Sequence, residues 1–380
     1  MSRVQTTDVV IIGGGIIGCS VAYYLRKAGI EVIVLEQGEI GGQASSAAAG
    51  LLAPLGPLGG PGPFADLLLA SFALFPALVA ELEHLSGIHC GYERTGALRI
   101  VRNPKRVIRL QKRLAEWQPL GLRMHWLNGD EARQLEPLLA PDICAAVYAP
   151  EESQINAANL VQAFALSAQK LGAHIYSHTS VENIEHHAGH ATSVQTSQGE
   201  KISYSRIIVT AGVWAAQIMA GLNVVLPVRP LSGQMLALQS CGLRHIIFGE
   251  GAYVLPRGDE VLVGATKEET GFAAQVTPEG QGWLRNAAYK LVPVLGASGV
   301  MRSWAGLRPS TPDTRPVLGP LPGWQNVLLA SGHNSVGIIL SPLTGQLISE
   351  YIVSGKVPAL LFPFLLDRFS QPAQEPGKDA

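Results

Sequence analysis

Arg308 and Arg315 stand in the stretch SWAGLRPSTPDTRPVLG, the first of them between an apolar run and a proline. A planar guanidinium can grip a carboxylate through two parallel charge-assisted hydrogen bonds, so Arg308 is a candidate carboxylate clamp. The structural alternative is an ion pair with an acid such as Asp313. Tyr253, in AYVLPR, sits on an alternating pattern, and its hydroxyl could serve a polar site or simply reach the surface. At the other end of the chain Gly13, Gly15 and Gly18 spell G-x-G-x-x-G, and Glu36 follows about twenty residues on. The first glycine permits a tight turn, the second lets a pyrophosphate approach the backbone, and the third lets helix and strand pack closely. An acid at the position of Glu36 can hydrogen-bond both hydroxyls of a ribose and disfavours a 2′-phosphate, so the chemistry indicated is that of an unphosphorylated dinucleotide.

The elements around these residues agree. TDVVIIGGGIIGCSVAYYLRKAGIEVIVLEQG reads as buried strand, glycine turn, helix, strand. The helix begins at Ile16 and Ile17, where its amides and dipole can receive phosphate, and Gln37 follows the acid. RIIVTAGVWA, ending its strand at Gly212, returns to a buried strand nearly two hundred residues later. A compact nicotinamide dehydrogenase would continue as βαβ; a strand ending in Thr-Ala-Gly this far on is a recurrent feature of two-domain flavoproteins, and alone it reads equally as an ordinary core strand ending in a glycine turn. Between residues 220 and 308 alternating patterns such as GQMLALQ and EVLVGAT predict a mostly antiparallel sheet. NVLLASG and GIILSPLTGQLISEYIVSG then give a last strand and helix. Segment 53–63, APLGPLGGPGP, cannot be regular structure and is a candidate lid. FADLLLASFALFPALVAELEHLSG predicts a helix interrupted at Pro76. RVIRLQKRLAEWQPLG predicts an amphipathic helix with a solvated basic face.

Composition bounds the reading. The chain has 380 residues, 47% hydrophobic and only 15% charged, with 42 glycines, which describes a well-packed globular protein of two joined domains. A net charge of −1 advertises neither nucleic acid nor an acidic membrane. Cys19, Cys90, Cys144 and Cys241 lack metal or redox spacing and read as small buried hydrophobes of a reducing cytoplasm. His186, His187 and His190 fall in a polar hairpin turn, and no metal site is expected. The early run VVIIGGGIIG is too short and too broken for a signal peptide or a span, and no other run of about 18 apolar residues is unbroken, so a soluble chain is expected.

GQASSAAAGLLAP, AYVLPR, SWAGLRPSTPDTRPVLG and ASGHNSVGIILSP, in that order with the glycine motif, resemble the glycine oxidases of thiamine biosynthesis, within the D-amino-acid oxidase superfamily of FAD-dependent enzymes. The resemblance covers about residues 8 to 370. It implies an α/β two-domain flavoprotein: a discontinuous Rossmann-like FAD-binding domain (1–85, 145–220 and 309–370) and a mainly antiparallel substrate-binding domain (86–144 and 221–308), with 371–380 as a frayed tail. By resemblance Ala44, Ser45, Ala49, Gly50 and Leu51 line the cofactor, small enough to let backbone lie against the ring, and Val181 lies near the adenine. His333, Asn334, Ser335, Val336, Gly337, Ile338 and Ile339 start the last helix, whose amides can stabilise negative charge on the flavin. Arg308 holds the substrate carboxylate and Tyr253 reaches it, while Arg257 and Arg315 are structural. The family carries an arginine where Ser335 stands and a methionine where Lys267 stands, so Lys267 is a candidate for the missing charge. No cysteine or histidine is placed for a covalent flavin, hence noncovalent FAD. The implied activity is oxidative deamination of glycine or another small amino acid or amine: hydride passes from Cα–H to flavin N5, and 2-oxo acid, ammonia or amine, and hydrogen peroxide from dioxygen are the products. A same-fold dehydrogenase acting on a D-amino acid, sarcosine or proline derivative, with a quinone or protein acceptor, is the alternative. A cytoplasmic homo-oligomer is expected by resemblance.

Overall fold

A computed structural model of the chain describes residues 4–370; the tail expected at 371–380 lies outside them. Two eight-stranded sheets carry the fold. In the first, strands Val4–Ile12, Val32–Leu35, His174–Tyr176, Lys201–Val209 and Val327–Ser331 run parallel, and Val317–Pro320 closes one edge antiparallel. The strands are apolar on both faces because both are covered. Val9 and Ile11 of the first strand face a core built with the helices Ile16–Lys27, Pro63–Ser86, Ala157–Lys170 and Gly337–Ser354. Val10 and Ile12 face the opposite core, closed by Met219 and Leu222 and by the hairpin Val181–His187/His190–Thr196. The histidines of that hairpin sit at its turn, as its polar sequence predicts.

The second sheet runs in the spatial order 300–310, 229–239, 260–264, 252–257, 246–249, 97–101, 145–149, 125–128, antiparallel except where Ile246–Gly249 meets Ala97–Val101. Helix Pro278–Leu291 covers one face, with Leu284, Ala288 and Leu291 against Leu236, Val254 and Val263. Met235 and Tyr253 are turned to the other face, toward the first sheet.

Three expectations change. Ala145–Ala149 is not the start of a return to the first unit; it hydrogen-bonds to Ala97–Val101 and belongs to the second sheet. Helix Pro63–Ser86 runs through Pro76 without a break, because Pro76 lies on the exposed face, where the carbonyl it leaves unpaired can reach water. By length and composition alone this helix could cross a membrane, although Asp66, Ser71, Pro76 and Glu81 interrupt its apolar run. Its apolar face is spent inside the fold: Leu67, Leu68, Phe75 and Leu82 belong to the first core, and the Ser71 hydroxyl donates to the carbonyl of Ile339 at 2.7 Å. Cys19 and Cys90 are buried, but Cys144 and Cys241 are partly exposed.

The stretch 53–63, read as a lid, is fastened at Leu55 and Leu58. Leu55 and Leu58 are fully buried, the amide of Leu55 donates to Glu152, and the Trp117 indole donates to the carbonyl of Leu58 at 2.9 Å.

Candidate active site

A single cavity of about 1090 Å³ runs between the two sheets, above the ~300–1,000 Å³ of ordinary small-ligand pockets. Of the residues that the sequence offers as catalytic or cofactor-binding candidates, all but Gly18 line it. Gly18 lies behind it: a Cβ there would run into the carbonyl of Gly13, so glycine is what lets the first helix close onto its strand. Thr210, at the end of RIIVT, ties the turn together by donating from Oγ1 to the carbonyls of Ile12 and Gly13 at 3.0 and 2.8 Å.

One end of the cavity lies around Glu36. Both carboxylate oxygens of buried Glu36 accept backbone amides, Gly14 at 2.7 Å and Gly38 at 2.9 Å, which fixes the acid at the rim beside Gln37 and Val181. Two helices open their N-termini into the cavity, Ile16–Lys27 and Gly337–Ser354, and neither N-cap residue supplies a side-chain cap. Helix starts leave amides without intrahelical partners, so an enclosed one asks for an acceptor. At the first, the Ser45 hydroxyl accepts from the amide of Ile16 at 3.0 Å, which puts Ser45 at the anion position of that helix. At the second, Asn334 donates its amide to the carbonyl of Pro309 at 2.8 Å and thereby joins the cofactor side to the Arg308 strand. His333 is buried, 3.3 Å from the Thr344 hydroxyl, and burial drives its pKa down to about 3. It is a neutral group of the wall.

Ala47 to Leu51 cross the middle of the cavity. The Trp304 indole donates to the carbonyl of Ala47 at 3.0 Å, and Arg257 donates to the carbonyl of Ala49 at 2.8 Å and to Gln154. Arg257 is therefore a strut for a cavity wall, as expected. Arg315 stacks its guanidinium 3.7 Å from the centre of the Phe64 ring and also borders the cavity.

The other end lies around Arg308. Arg308 lies on strand Val300–Ser310, paired across to Leu231. Its Nη1 donates to the carbonyls of Ser232 and Thr266, each at 3.2 Å; among the described residues Nε and Nη2 have no partner and no acid pairs with it. Asp313, the alternative partner, is taken by Arg368 at 2.8 Å. Burial lowers the Arg308 pKa, with the neighbouring Tyr253 phenol acting in the opposite direction, and a guanidinium stays charged through such a shift. Tyr253 rests its hydroxyl 3.3 Å from the Met235 sulfur. Its pKa is pushed up to about 12, chiefly by burial, although the Arg308 charge works against that, so it remains a neutral donor.

The sequence reading missed Gly233 and Gln234. A Cβ on Gly233 would run into the Arg308 guanidinium; the only signal was a glycine inside a strand pattern, which marks a close approach. Met235, Phe248, Trp214 and Gln217 were also missed as cavity residues, for they read as ordinary core or helix positions.

Comparison with known proteins follows the same lines. The profile of the family described as FAD dependent oxidoreductase (DAO) matches residues 8–351. A glycine oxidase of Geobacillus kaustophilus is 34% identical over 367 residues, covering 95% of this chain and 97% of its own. The crystal structure of glycine oxidase from Bacillus cereus superposes with a TM-score of 0.89 at 33% identity, over 97% of this chain and 100% of the other. That of iminodiacetate oxidase from Chelativorans superposes with a TM-score of 0.85 at 29% identity, over 94% of this chain and 98% of the other.

Proposed function

The chain belongs to the DAO family of FAD-dependent oxidoreductases that includes the glycine oxidases, and from that premise we propose that it oxidatively deaminates glycine or a similarly small amino acid, held by Arg308. The observation that carries this reading is the half-free guanidinium. One nitrogen is anchored to two carbonyls while Nε and Nη2 keep donors in a cavity whose other walls suit FAD. The fit to FAD rests on the uncapped helix starts, the small residues Ala47 to Gly50 across the middle, and Glu36 at the rim.

In this reading Glu36 and Val181 border the adenosine, the first helix and Ser45 take the pyrophosphate, and the start of the last helix faces the flavin. When bound, FAD supplies the two-electron acceptor at N5, and dioxygen reoxidises it to give hydrogen peroxide. The chain's own residues bind and orient. Arg308 fixes the substrate carboxylate through its two free nitrogens, Tyr253 adds a neutral donor, and the sheet face with Met235 and Phe248 keeps the clamp end dry. No carboxylate or imidazole of ordinary pKa lines the clamp end among the described residues, so the amine has to arrive unprotonated. A cytoplasmic homo-oligomer, the two-domain boundaries with 145–149 moved to the second unit, and the site roles stand as parts of the same proposal.

The test is anaerobic mixing of the purified yellow protein with glycine, sarcosine, D-alanine and D-proline, followed by air. Bleaching of the visible flavin band by glycine and prompt recolouring in air are expected. Bleaching without recolouring would replace the oxidase with a dehydrogenase, and no bleaching by any of them would sink the reading.

A further inference from the structure

The clamp end holds one more cation than a monocarboxylate substrate uses. Lys267 follows the residue whose carbonyl anchors Arg308, and it borders the same cavity. Its side chain is exposed and has no hydrogen-bond or ion-pair partner among the described residues, whereas both acids after it are engaged. Glu268 accepts from the Gln234 amide at 2.9 Å, and Glu269 pairs with Arg229 at 2.9 Å.

An exposed lysine usually sweeps freely through solvent, and its charge then does little. The backbone here is different, because it is fixed on both sides of the residue. Gln234 donates its amide to the Thr266 hydroxyl at 2.8 Å and accepts the Thr266 amide at 3.3 Å. Ser232 and Glu268 exchange both backbone hydrogen bonds, at 2.9 and 3.0 Å. The extended alternation turns Thr266 and Glu268 into this network and leaves Ala265 and Lys267 on the cavity side. The root of the lysine is as well placed as Arg308 itself.

Further along the same loop, Phe272 reaches the Trp214 ring, 6.2 Å between centroids, across the mouth. The loop that carries Lys267 therefore reaches from the second sheet to Trp214, and Lys267, Trp214 and Arg308 border the same cavity. Glycine would present its one carboxylate to Arg308 and nothing to Lys267.

We propose that Lys267 is a specificity residue for a second anionic group, and that this site takes small amines bearing two carboxylates. This rests on the function proposed above and narrows its substrate class. The second carboxylate can come from either side of the reacting centre: from the nitrogen substituent, as in iminodiacetate, or from the side chain, as in D-aspartate. For the first, the reaction balances as iminodiacetate, dioxygen and water giving glyoxylate, glycine and hydrogen peroxide. A Cα–H leaves as hydride, the imine is hydrolysed by water, and dioxygen receives the two electrons.

Two experiments on the FAD-loaded protein decide it. In the first, oxydiacetate, an ether that keeps both carboxylates of iminodiacetate and cannot be oxidised in its place, is titrated against methoxyacetate by perturbation of the flavin spectrum. Oxydiacetate is expected to bind the tighter. Lys267→Met should shrink the ratio of their affinities about tenfold and Lys267→Arg should keep it, in line with a charge-assisted contact at a partly exposed site. Equal affinities in the wild type, or a ratio that Lys267→Met leaves alone, overturn the proposal.

In the second, kcat/KM is measured for iminodiacetate, D-aspartate and glycine in the same proteins. A fall of about tenfold in the preference for either dicarboxylate over glycine in Lys267→Met supports the proposal. Activity on iminodiacetate alone places the lysine beyond the amine, and activity on D-aspartate alone places it beyond Cα. If glycine reacts and neither dicarboxylate reacts or binds, this inference falls while the oxidase reading stands. If no amine reduces the flavin, both fall.

Discussion

At the scale of the residue, Arg308 joins two requirements in one side chain: Nη1 is tied to the carbonyls of Ser232 and Thr266, and Nε and Nη2 remain to hold a carboxylate. Two charge-assisted hydrogen bonds at ~1.5–3 kcal/mol each would be lost with the guanidinium. Arg308→Ala should therefore lower kcat/KM for glycine by roughly 10²–10⁴ while the flavin spectrum persists, read by anaerobic flavin reduction over a range of glycine. A loss under about tenfold would mean that the carboxylate is held elsewhere. The titration of the wall gives a second expectation. His333 takes a proton only as pH falls toward about 3, and Tyr253 loses one only as pH rises toward about 12. Between pH 5 and 10 neither changes charge, so kcat/KM should rise with pH along the deprotonation of the substrate's own amine. Its midpoint should move when glycine is exchanged for an amine of different pKa. A midpoint fixed across substrates would reveal an ionising group of the protein that the clamp end does not display.

At the scale of the element, the loop 265–277 is as much part of the clamp as the strand that bears Arg308. Gln234, fully buried, is its hub: the side-chain amide donates to Glu268 at 2.9 Å and to the Thr277 hydroxyl at 3.0 Å and accepts the amide of Thr277 at 2.9 Å. Replacing it with leucine leaves those groups buried and unpaired, at a cost of about 1–3 kcal/mol, and loosens the loop whose Thr266 carbonyl orients Arg308. Gln234→Leu is expected to lower the Tm and to raise KM for glycine about tenfold with a smaller change in kcat, because the lost interaction positions bound substrate. Equal falls in kcat and kcat/KM would instead assign the network to the chemical step. None of this was readable beforehand. In LSGQMLALQ a glutamine and a glycine look like ordinary interruptions of a strand, since the glutamine answers to Glu268 and Thr277 in a later loop and the glycine to Arg308, farther still along the chain. The first strand, glycine turn and helix were legible, by contrast, because each residue there answers to a neighbour within a few positions. Pro76 misled for the same local reason: its effect depends on whether its carbonyl partner meets water, and the sequence does not say which face is exposed.

At the scale of the whole molecule, one long cavity needs both sheets, and the joins that make it cross the chain. Trp304 to Ala47, Arg257 to Ala49 and Asn334 to Pro309 each bind a cofactor-side segment to the substrate sheet. The order of motifs predicted two sheets around one site, and family resemblance named the residues, but neither could show these joins or that Ala145–Ala149 pairs with the second sheet. A ligand that fills such a cavity should stabilise the fold by mass action, by about 2.7 kcal/mol at a hundredfold excess over its Kd. The cavity length makes the test selective. In the proposed reading FAD would reach from the Glu36 rim toward the Arg308 end, whereas FMN would leave the Glu36, Gln37 and Val181 end without a ligand. Apoprotein titrated with each should therefore show a concentration-dependent rise in Tm with FAD and a much smaller one with FMN at the same concentration. Equal rises would mean that the adenosine end contributes nothing to binding. The paired amides on Glu36 would then be a purely structural fastening of the glycine turn, and the dinucleotide reading of the first motif would have to be withdrawn.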